Sequence, residues 1–112
     1  MTVTIRNIIP CKRVENAQTS QYTATLCKTV VDNFTVTNTT VGNVSFSCNL
    51  VPPAGAAADG NLILDTRTIA PGETYPCPEI VGKVIENGYF LSTLASAATS
   101  LTMDANGREI TT

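Results

Sequence analysis

The chain of 112 residues carries seven basic and nine acidic side chains, so its net charge is −2, and only 14% of its residues are charged. A chain this short has room for one hydrophobic core and therefore one domain, and the lack of a basic excess argues against a nucleic-acid-binding protein. Thr, Val and Ile supply 36 residues, whereas His and Trp are absent. This composition favours β-strands and removes the most common general base and metal ligand.

Turn-forming residues divide the sequence into short segments in which apolar and polar residues alternate, the pattern of strands with one buried face. In chain order, these segments predict strands at 2–9, 18–25, 28–38, 44–51, 62–69, 89–95 and 101–105. The first segment meets Pro10, so we expect an edge strand or an extended arm rather than a central strand. Within the third, Asp32-Asn33 interrupts the alternation and predicts a bulge.

The segment 44–51 shows the clearest alternation. Its predicted inward residues are Val44, Phe46, Cys48 and Leu50, and its predicted outward residues are Ser45, Ser47 and Asn49. Gly42-Asn43 predicts a hairpin between this strand and the preceding one. We expect 54–60, which is rich in small residues, to form an exposed loop.

The segment 78–85 is the one place where helix competes with β-structure. Pro78 at a first helical position and apolar residues at helical spacing favour one or two helical turns, whereas Gly82 and the β-branched residues weaken a helix. We predict a short helix or a buried turn. Beyond it, Asn87-Gly88 predicts a turn, and Asn106-Gly107 predicts the end of the last strand.

Short strands with turns between them, and no alternation of strands with helices, predict an all-β fold. We expect a single antiparallel β-sandwich, jelly-roll-like, with at most one short helix near residues 78–85. Residues 1–16 are predicted to form an extended basic arm or edge strand, and 17–112 the sandwich body. The first thirteen residues carry three basic and no acidic side chains, which leaves four basic and nine acidic residues, a charge of −5, for the rest.

The sequence contains no recognisable catalytic arrangement. Without histidine the usual base of a nucleophilic triad is missing, and the acidic residues lack the aromatic neighbours of a sugar-cleaving site and the spacing of a calcium loop. Cys11, Cys27, Cys48 and Cys77 form no Cys-x-x-Cys pair, so we expect free, largely buried thiols rather than a zinc site. These features predict a non-enzymatic protein with no metal, cofactor or small-molecule substrate.

Localisation signals are also lacking. No stretch reaches the ~18 apolar residues of a membrane helix, and the first residues do not form the apolar core of a signal peptide. We therefore expect synthesis in the cytoplasm and no membrane partner. Two function classes fit: a structural module of a large assembly, which the low surface charge favours, and a carbohydrate-binding sandwich, for which only Tyr22, Tyr75 and Tyr89 offer candidate aromatic platforms.

Several segments resemble small structural proteins of tailed bacteriophages. They are 31–40 (VDNFTVTNTT), 44–51 (VSFSCNLV), 67–74 (RTIAPGET), 77–82 (CPEIVG) and 91–96 (LSTLAS), and the similar segments lie within residues 17–110. In size the chain is similar to the decoration proteins, also called cement or staple proteins, that clamp the capsids of some short-tailed phages. The first sixteen residues are not part of this resemblance.

The resemblance implies a jelly-roll-like sandwich on the outside of the capsid in the virion, often self-associating, that bridges neighbouring subunits of the major capsid protein by binding alone. A tail, neck or fibre protein is the alternative within this class. In the arm, the candidate partner contacts are the apolar residues Ile5, Ile8 and Ile9 and the basic residues Arg6, Lys12 and Arg13. The competing interpretation is that Ile5 and Ile8 close the chain's own core.

Overall fold

The computed structural model describes residues 1–111, which form two packed antiparallel β-sheets; Thr112, the last residue of the predicted body, lies outside the described residues. The nine strands in this part of the chain are β1 (Thr2–Arg13), β2 (Thr19–Thr23), β3 (Lys28–Asn38), β4 (Val44–Val51), β5 (Leu62–Ile69), β6 (Thr74–Tyr75), β7 (Val84–Ile85), β8 (Phe90–Ala95) and β9 (Leu101–Thr111). A 3₁₀ helix, Asp59–Asn61, precedes β5. The prediction of an all-β sandwich is confirmed.

The order of the strands identifies the type of sandwich. One sheet has the order β1-β9-β3-β6, with β7 also paired to β3, and the other has the order β2-β8-β4-β5. Most connections therefore cross from one sheet to the other, and β1 and β9 lie side by side although they are far apart in sequence. This is the strand order of a jelly roll.

The core lies between the sheets and consists of inward-facing residues from both. Phe34 of β3 and Phe46 of β4 contact each other across the core, with ring centroids 6.1 Å apart and planes tilted by 44°. Both rings are fully buried, together with Leu91 and Met103. Burial of each such side chain contributes about 1.5–3 kcal/mol relative to exposure, so this interior accounts for most of the attraction between the sheets.

Asn38 holds the connection between β3 and β4. The predicted hairpin at Gly42-Asn43 is wrong, because these strands belong to different sheets. Instead, Asn38 Nδ2 donates hydrogen bonds of 2.8 Å to the backbone oxygens of Gly42 and Ile69, and its Oδ1 accepts one from the Thr40 backbone. One buried side chain thus supplies the hydrogen bonds that a hairpin ladder would otherwise form.

Two of the predicted irregularities are confirmed. The pairing of β3 with β9 shifts register between Val31 and Asn33, at the predicted bulge, and Gly88 has φ +87 in the turn before β8. The segment 78–85 forms a turn followed by β7, which is the turn alternative of the prediction. In that turn the Val81 N–H donates one helical-type hydrogen bond to the Cys77 carbonyl, and Gly82, with φ +89, ends the turn.

The last strand is longer than predicted. β9 continues through Asn106-Gly107 to Thr111, so the prediction that it ends at this pair is wrong. Gly107 allows the backbones of β9 and β3 to lie close together, because a Cβ at position 107 would lie 2.4 Å from the backbone oxygen of Val30. β1 likewise runs past Pro10 to Arg13, with register shifts that accommodate the proline on an edge strand.

The outer face of β4 is partly covered. Asn49, predicted to face solvent, is buried, and Leu50 is only partly buried. Asn49 Nδ2 donates to the backbone oxygen of Ala58 at 3.0 Å and to Asn61 Oδ1 at 2.8 Å. The connection between β4 and β5 therefore folds over this end of the strand, a contact that alternation along β4 does not reveal.

Candidate interaction surface

The three isoleucines predicted as partner contacts lie in two different environments. Ile8 and Ile9 are buried in the core, whereas Ile5 is 83% exposed. The register of β1 shifts between Arg6 and Ile9, so two successive side chains face inward. The structure thus contradicts the assignment of Ile8 and Ile9 to a partner contact, and it equally contradicts the interpretation that Ile5 closes the core.

The predicted basic contacts are bound within the molecule. Arg6 Nε lies 2.8 Å from Glu109 Oε1, and Lys12 Nζ lies 3.0 Å from Glu15 Oε2. Arg13 donates to a threonine hydroxyl and to a backbone carbonyl, and it forms no ion pair within residues 1–111. Exposed pairs of this kind contribute about 0–1 kcal/mol. Two of the three predicted basic contacts are thus already paired with carboxylates, whereas, within the described residues, the charge of Arg13 has only neutral partners.

An apolar patch lies on the outer face of the five-stranded sheet, beside the free edge of β1. The register places Val3 opposite Ile110, and it places Ile5, Arg108, Val30 and Val84 in one row, in that order. We refer to the five apolar residues as the apolar patch, and Arg108 lies within it, between Ile5 and Val30. Val3 is 49% exposed and Val84 43% exposed, in addition to Ile5. The patch joins four strands that are distant in sequence, and its residues share one face because opposite residues in antiparallel strands point the same way.

The charged side chains within and beside the apolar patch form two ion pairs. Arg108 donates hydrogen bonds of 3.0–3.1 Å to both carboxylate oxygens of Asp32, and these bonds raise the pKa of Arg108. Lys28 Nζ lies 3.5 Å from Glu86 Oε1. A protein that covers the patch therefore meets apolar side chains, whose burial is favourable, together with the Arg108–Asp32 ion pair, whose two charges neutralise each other.

A hydrogen-bond network supports the apolar patch from the inner side of the sheet. The Tyr22 hydroxyl of β2 donates to Glu109 Oε2 of β9 and lies 2.6 Å from Thr29 Oγ1 of β3. Burial, followed by the hydrogen bond to Glu109, raises the pKa of the Tyr22 hydroxyl. Since Glu109 also accepts from Arg6 of β1, one network ties together strands from both sheets directly behind the patch.

The other half of the same outer face is polar. Its residues, which we call the polar half, are Asn7, Thr35, Thr37, Thr102, Asp104 and Asn106. Asn7 Nδ2 lies 2.9 Å from both Asp104 Oδ1 and Asn106 Oδ1, and it also donates to backbone carbonyls of β1 and β9. Asn7, Asp104 and Asn106 therefore bind one another within this half, and its exposed side chains are polar.

The edges of the two sheets differ in how they oppose pairing with another strand. In the described part of the chain, β6 and β7 have two residues each, β2 has five with a register shift, and β5 has register shifts and a positive φ at Thr66. Residues 7–13 of β1 contain two register shifts and Pro10. These are features that block edge pairing. Residues 2–6 of β1 have none of them, and their one charge, on Arg6, is paired.

A cleft of about 590 Å³ borders the apolar patch. It is lined by Leu26, Cys27, Lys28, Asn87 and Ile110. Leu26 is 82% exposed and has φ +57, a backbone conformation that leucine rarely adopts.

Across residues 1–111, no helix is long and apolar enough to cross a membrane.

The four cysteines are free thiols, as predicted. Cys27, Cys48 and Cys77 are buried, but Cys11 is exposed, which corrects the expectation for that residue. Burial raises the pKa of Cys77 to about 12 and also raises that of Cys48, so both thiols stay protonated at neutral pH. In the described residues, no group of three His, Cys, Asp or Glu side chains is placed to hold a metal ion.

Comparison with known proteins gives no family assignment: no family model matches the chain, and neither a curated protein nor a solved structure is significantly similar to it. The resemblance of residues 17–110 to phage decoration proteins therefore stays a prediction. The jelly-roll strand order rests on the pairing of the strands themselves.

Sequence reasoning identified Ile5 but missed the other members of the apolar patch. Val30, Val84 and Ile110 occur in segments that each contain several apolar residues, and nothing local distinguishes an exposed valine from a buried one. Only the register between four strands brings these residues together. One local signal existed, since Val3 and Ile5 alternate with three polar neighbours on a strand predicted to lie at an edge.

Proposed function

We propose that this chain is a non-enzymatic structural protein of a bacteriophage virion, which binds the outside of the capsid and clamps neighbouring subunits of the major capsid protein. The observation that carries the proposal is the apolar patch, which spans four strands, exposes Val3, Ile5 and Val84, and encloses the Arg108–Asp32 ion pair, whose charges neutralise each other. A patch of this kind favours a protein partner, because its burial removes apolar surface from water without stranding a charge.

The distribution of the resembling segments supports the same function. They lie on β3, β4, β5 and β8 and on the turn before β7. These strands build both sheets, so the similarity to phage structural proteins concerns the framework of the jelly roll. Val3 and Ile5, the patch residues of β1, lie outside the residues 17–110 that carry the resemblance, as is suitable for a part that must fit one particular capsid.

Exposed apolar residues at both ends of β3 support a bridging role. Leu26 precedes the strand and is 82% exposed, and Val41 follows it and is 99% exposed. An eleven-residue strand separates them by about 35 Å. A body with apolar contact residues at both ends is able to touch two neighbouring subunits at once, and two linked contacts strengthen each other through effective concentration.

The tyrosines argue against the carbohydrate-binding alternative. The Tyr22 hydroxyl is bound to Glu109, and Tyr75 is buried, with its ring 4.2 Å from the Arg67 guanidinium. Tyr89 is partly buried and packs against the core. Sugar-binding surfaces present free aromatic faces, whereas Tyr75 is buried and Tyr22 and Tyr89 are each partly buried.

The test is binding of the purified chain to capsids that lack it, measured by co-sedimentation and by counting bound copies. We expect saturable binding that Ile5→Asp and Val84→Asp each reduce at least tenfold, since a buried charge opposes the contact. Thr102→Asp is the matched control, because it introduces the same charge on the polar half, outside the apolar patch. We expect it to bind normally, and the fold should tolerate the new carboxylate because position 102 lies opposite Arg13 of β1.

Three outcomes would contradict the proposal. Binding to isolated tails but not to capsids would place the protein in the tail or neck. Binding to a panel of glycans without binding to any particle would favour a carbohydrate module. Equal losses for Thr102→Asp and Ile5→Asp would remove the apolar patch from the contact.

A further inference from the structure

The first half of β1 has an edge that no other part of the described chain covers. Residues 2–6 pair with β9 on one side in an uninterrupted register and face solvent on the other. A regular edge presents a row of unpaired backbone N–H and C=O groups that another strand can satisfy. Every other strand edge in residues 1–111 is short, bulged or interrupted. An added strand is therefore expected to pair with residues 2–6 of β1.

We propose that residues 2–6 of β1 pair antiparallel with the same residues of a second copy of this chain, forming a symmetric dimer with one continuous sheet. The two-fold axis passes through Thr4. In this register Thr4 lies opposite the partner's Thr4, and Val3 lies opposite the partner's Ile5. The interface is self-complementary, as a two-fold contact requires.

Charge and packing exclude the two neighbouring registers on the carboxyl-terminal side of Thr4. A pairing centred on Arg6 places two guanidinium groups opposite each other, which is destabilising. A pairing centred on Ile5 extends to Ile8, whose side chain is committed to the core and whose backbone lies at the register shift. The pairing centred on Thr4 avoids both problems, and its inward Arg6 side chain keeps its bond to Glu109.

The dimer also extends the apolar patch. Residues directly opposite each other in antiparallel strands share a face, so Val3 of one copy lies beside the partner's Ile5 on the outer face. The most exposed residue of the patch, Ile5, gains an apolar neighbour that the monomer lacks. The two patches become one surface centred on the two-fold axis, and β1 is no longer an edge.

The size of the contact sets its strength. Five paired residues bury less than the ~800 Å² per partner of a standard interface. We therefore expect a reversible dimer that forms at micromolar or higher concentrations and dissociates on dilution. This property does not depend on the capsid, so it can hold or fail separately from the proposed function.

The first experiment exchanges charges across the two-fold axis, with sedimentation velocity of the full chain over a range of concentrations as the readout. Val3→Lys/Ile5→Lys places lysines opposite lysines and is expected to weaken dimerisation at least tenfold. Val3→Glu/Ile5→Lys places opposite charges across the axis and is expected to keep the dimer. Both positions are exposed, so both variants should keep the wild-type circular dichroism and melting curve.

The second experiment tests the register by disulfide cross-linking in a Cys11→Ser background, which removes the exposed native thiol. Opposite residues of antiparallel strands have Cα atoms about 4.5–5.5 Å apart, within disulfide range, whereas diagonal residues are about 7–8 Å apart. Thr4→Cys is therefore expected to give at least ten times more cross-linked dimer than Ile5→Cys under mild oxidation.

Several results would overturn the inference. A chain that stays monomeric at all concentrations excludes the dimer. Equal cross-linking at positions 4 and 5 excludes the register centred on Thr4. Loss of capsid binding by Val3→Lys/Ile5→Lys in a protein that is always monomeric would show that a strand of the capsid protein, rather than a second copy, occupies the edge.

Discussion

The two halves of the outer face of the five-stranded sheet are built from the same strands and have opposite chemistry. In the polar half, Asn7 binds Asp104 and Asn106, and the threonines beside them keep the surface hydrated. In the apolar patch, the apolar side chains flank Arg108, whose guanidinium binds Asp32. On this face of the sheet, the exposed apolar residues Val3, Ile5 and Val84 all lie in one half, and this segregation marks that half as the candidate contact surface.

The largest effect is expected at Gly107, where β9 approaches β3 beneath the apolar patch. Gly107→Ala puts a Cβ 2.4 Å from the Val30 backbone oxygen, so the strands must separate, and we expect a loss of about 3 kcal/mol or more in the free energy of unfolding. Urea titration measures this loss. Gly42→Ala is the control, since nothing lies within 4 Å of its Cβ, and a similar loss in both variants would contradict the close approach.

Tyr22→Phe tests the network behind the apolar patch. The change leaves Glu109 and Thr29 without the tyrosine hydroxyl, and we expect a loss of about 2 kcal/mol, because hydrogen bonds to charged groups are among the stronger ones. The measurement is again urea unfolding at pH 7. No loss would mean that water replaces the hydroxyl without cost.

The same variant has a signature at alkaline pH. The pKa of Tyr22 in the folded chain is raised above its ordinary value of 10, so above pH 10 the unfolded chain releases this proton first. The stabilisation is complete below pH 10 and is lost as the pH rises toward the folded pKa. Wild-type protein should therefore lose stability more steeply than Tyr22→Phe above pH 10, whereas parallel curves would assign the alkaline loss to other groups.

In the polar half, Asn7→Ala is expected to cost about 1 kcal/mol. The variant loses side-chain hydrogen bonds to two backbone carbonyls and to Asp104 and Asn106, and a typical intramolecular bond has a net value near this figure. Thermal unfolding followed by circular dichroism is sufficient to measure it. If Asn7→Ala unfolds at the same temperature as the wild type, the hydrogen bonds of Asn7 do not stabilise the polar half.

The smallest effect on stability is expected in the apolar patch itself. Ile5→Ser removes the side chain that is 83% exposed, so the free energy of unfolding should change by less than about 0.5 kcal/mol. Binding of a fluorescent hydrophobic dye to the native protein should decrease. A large loss of stability would show that Ile5 supports the fold and would weaken its assignment to a contact.

Much of the fold was predictable because alternation reports directly on one buried face. The strands at 28–38 and 44–51 and the bulge at Asp32 follow from period two and from its interruption. The hairpin at Gly42-Asn43 and the end of the last strand at Asn106-Gly107 were wrong for one reason. Turn-forming dipeptides describe local backbone freedom, whereas a change of sheet and a close approach between strands are set by distant residues.

The candidate surface was predictable only in part. Ile5 was expected to contact a partner, and its exposure keeps that prediction open. Ile8 and Ile9 were misassigned because a bulge in β1 reverses the facing of side chains, and such a shift leaves no mark in the composition of 2–9. The remaining members of the apolar patch depend on cross-strand register, which a single sequence does not contain.

The position of β9 between β1 and β3 has a consequence for how the chain folds. Thr2 pairs with Thr111, so the first strand obtains its partner only after nearly the whole chain has been synthesised. Contacts this distant in sequence slow folding. Until β9 is synthesised, the edges of β1 and β3 that it pairs with have no partner, and unpaired strand edges of this kind favour association between chains.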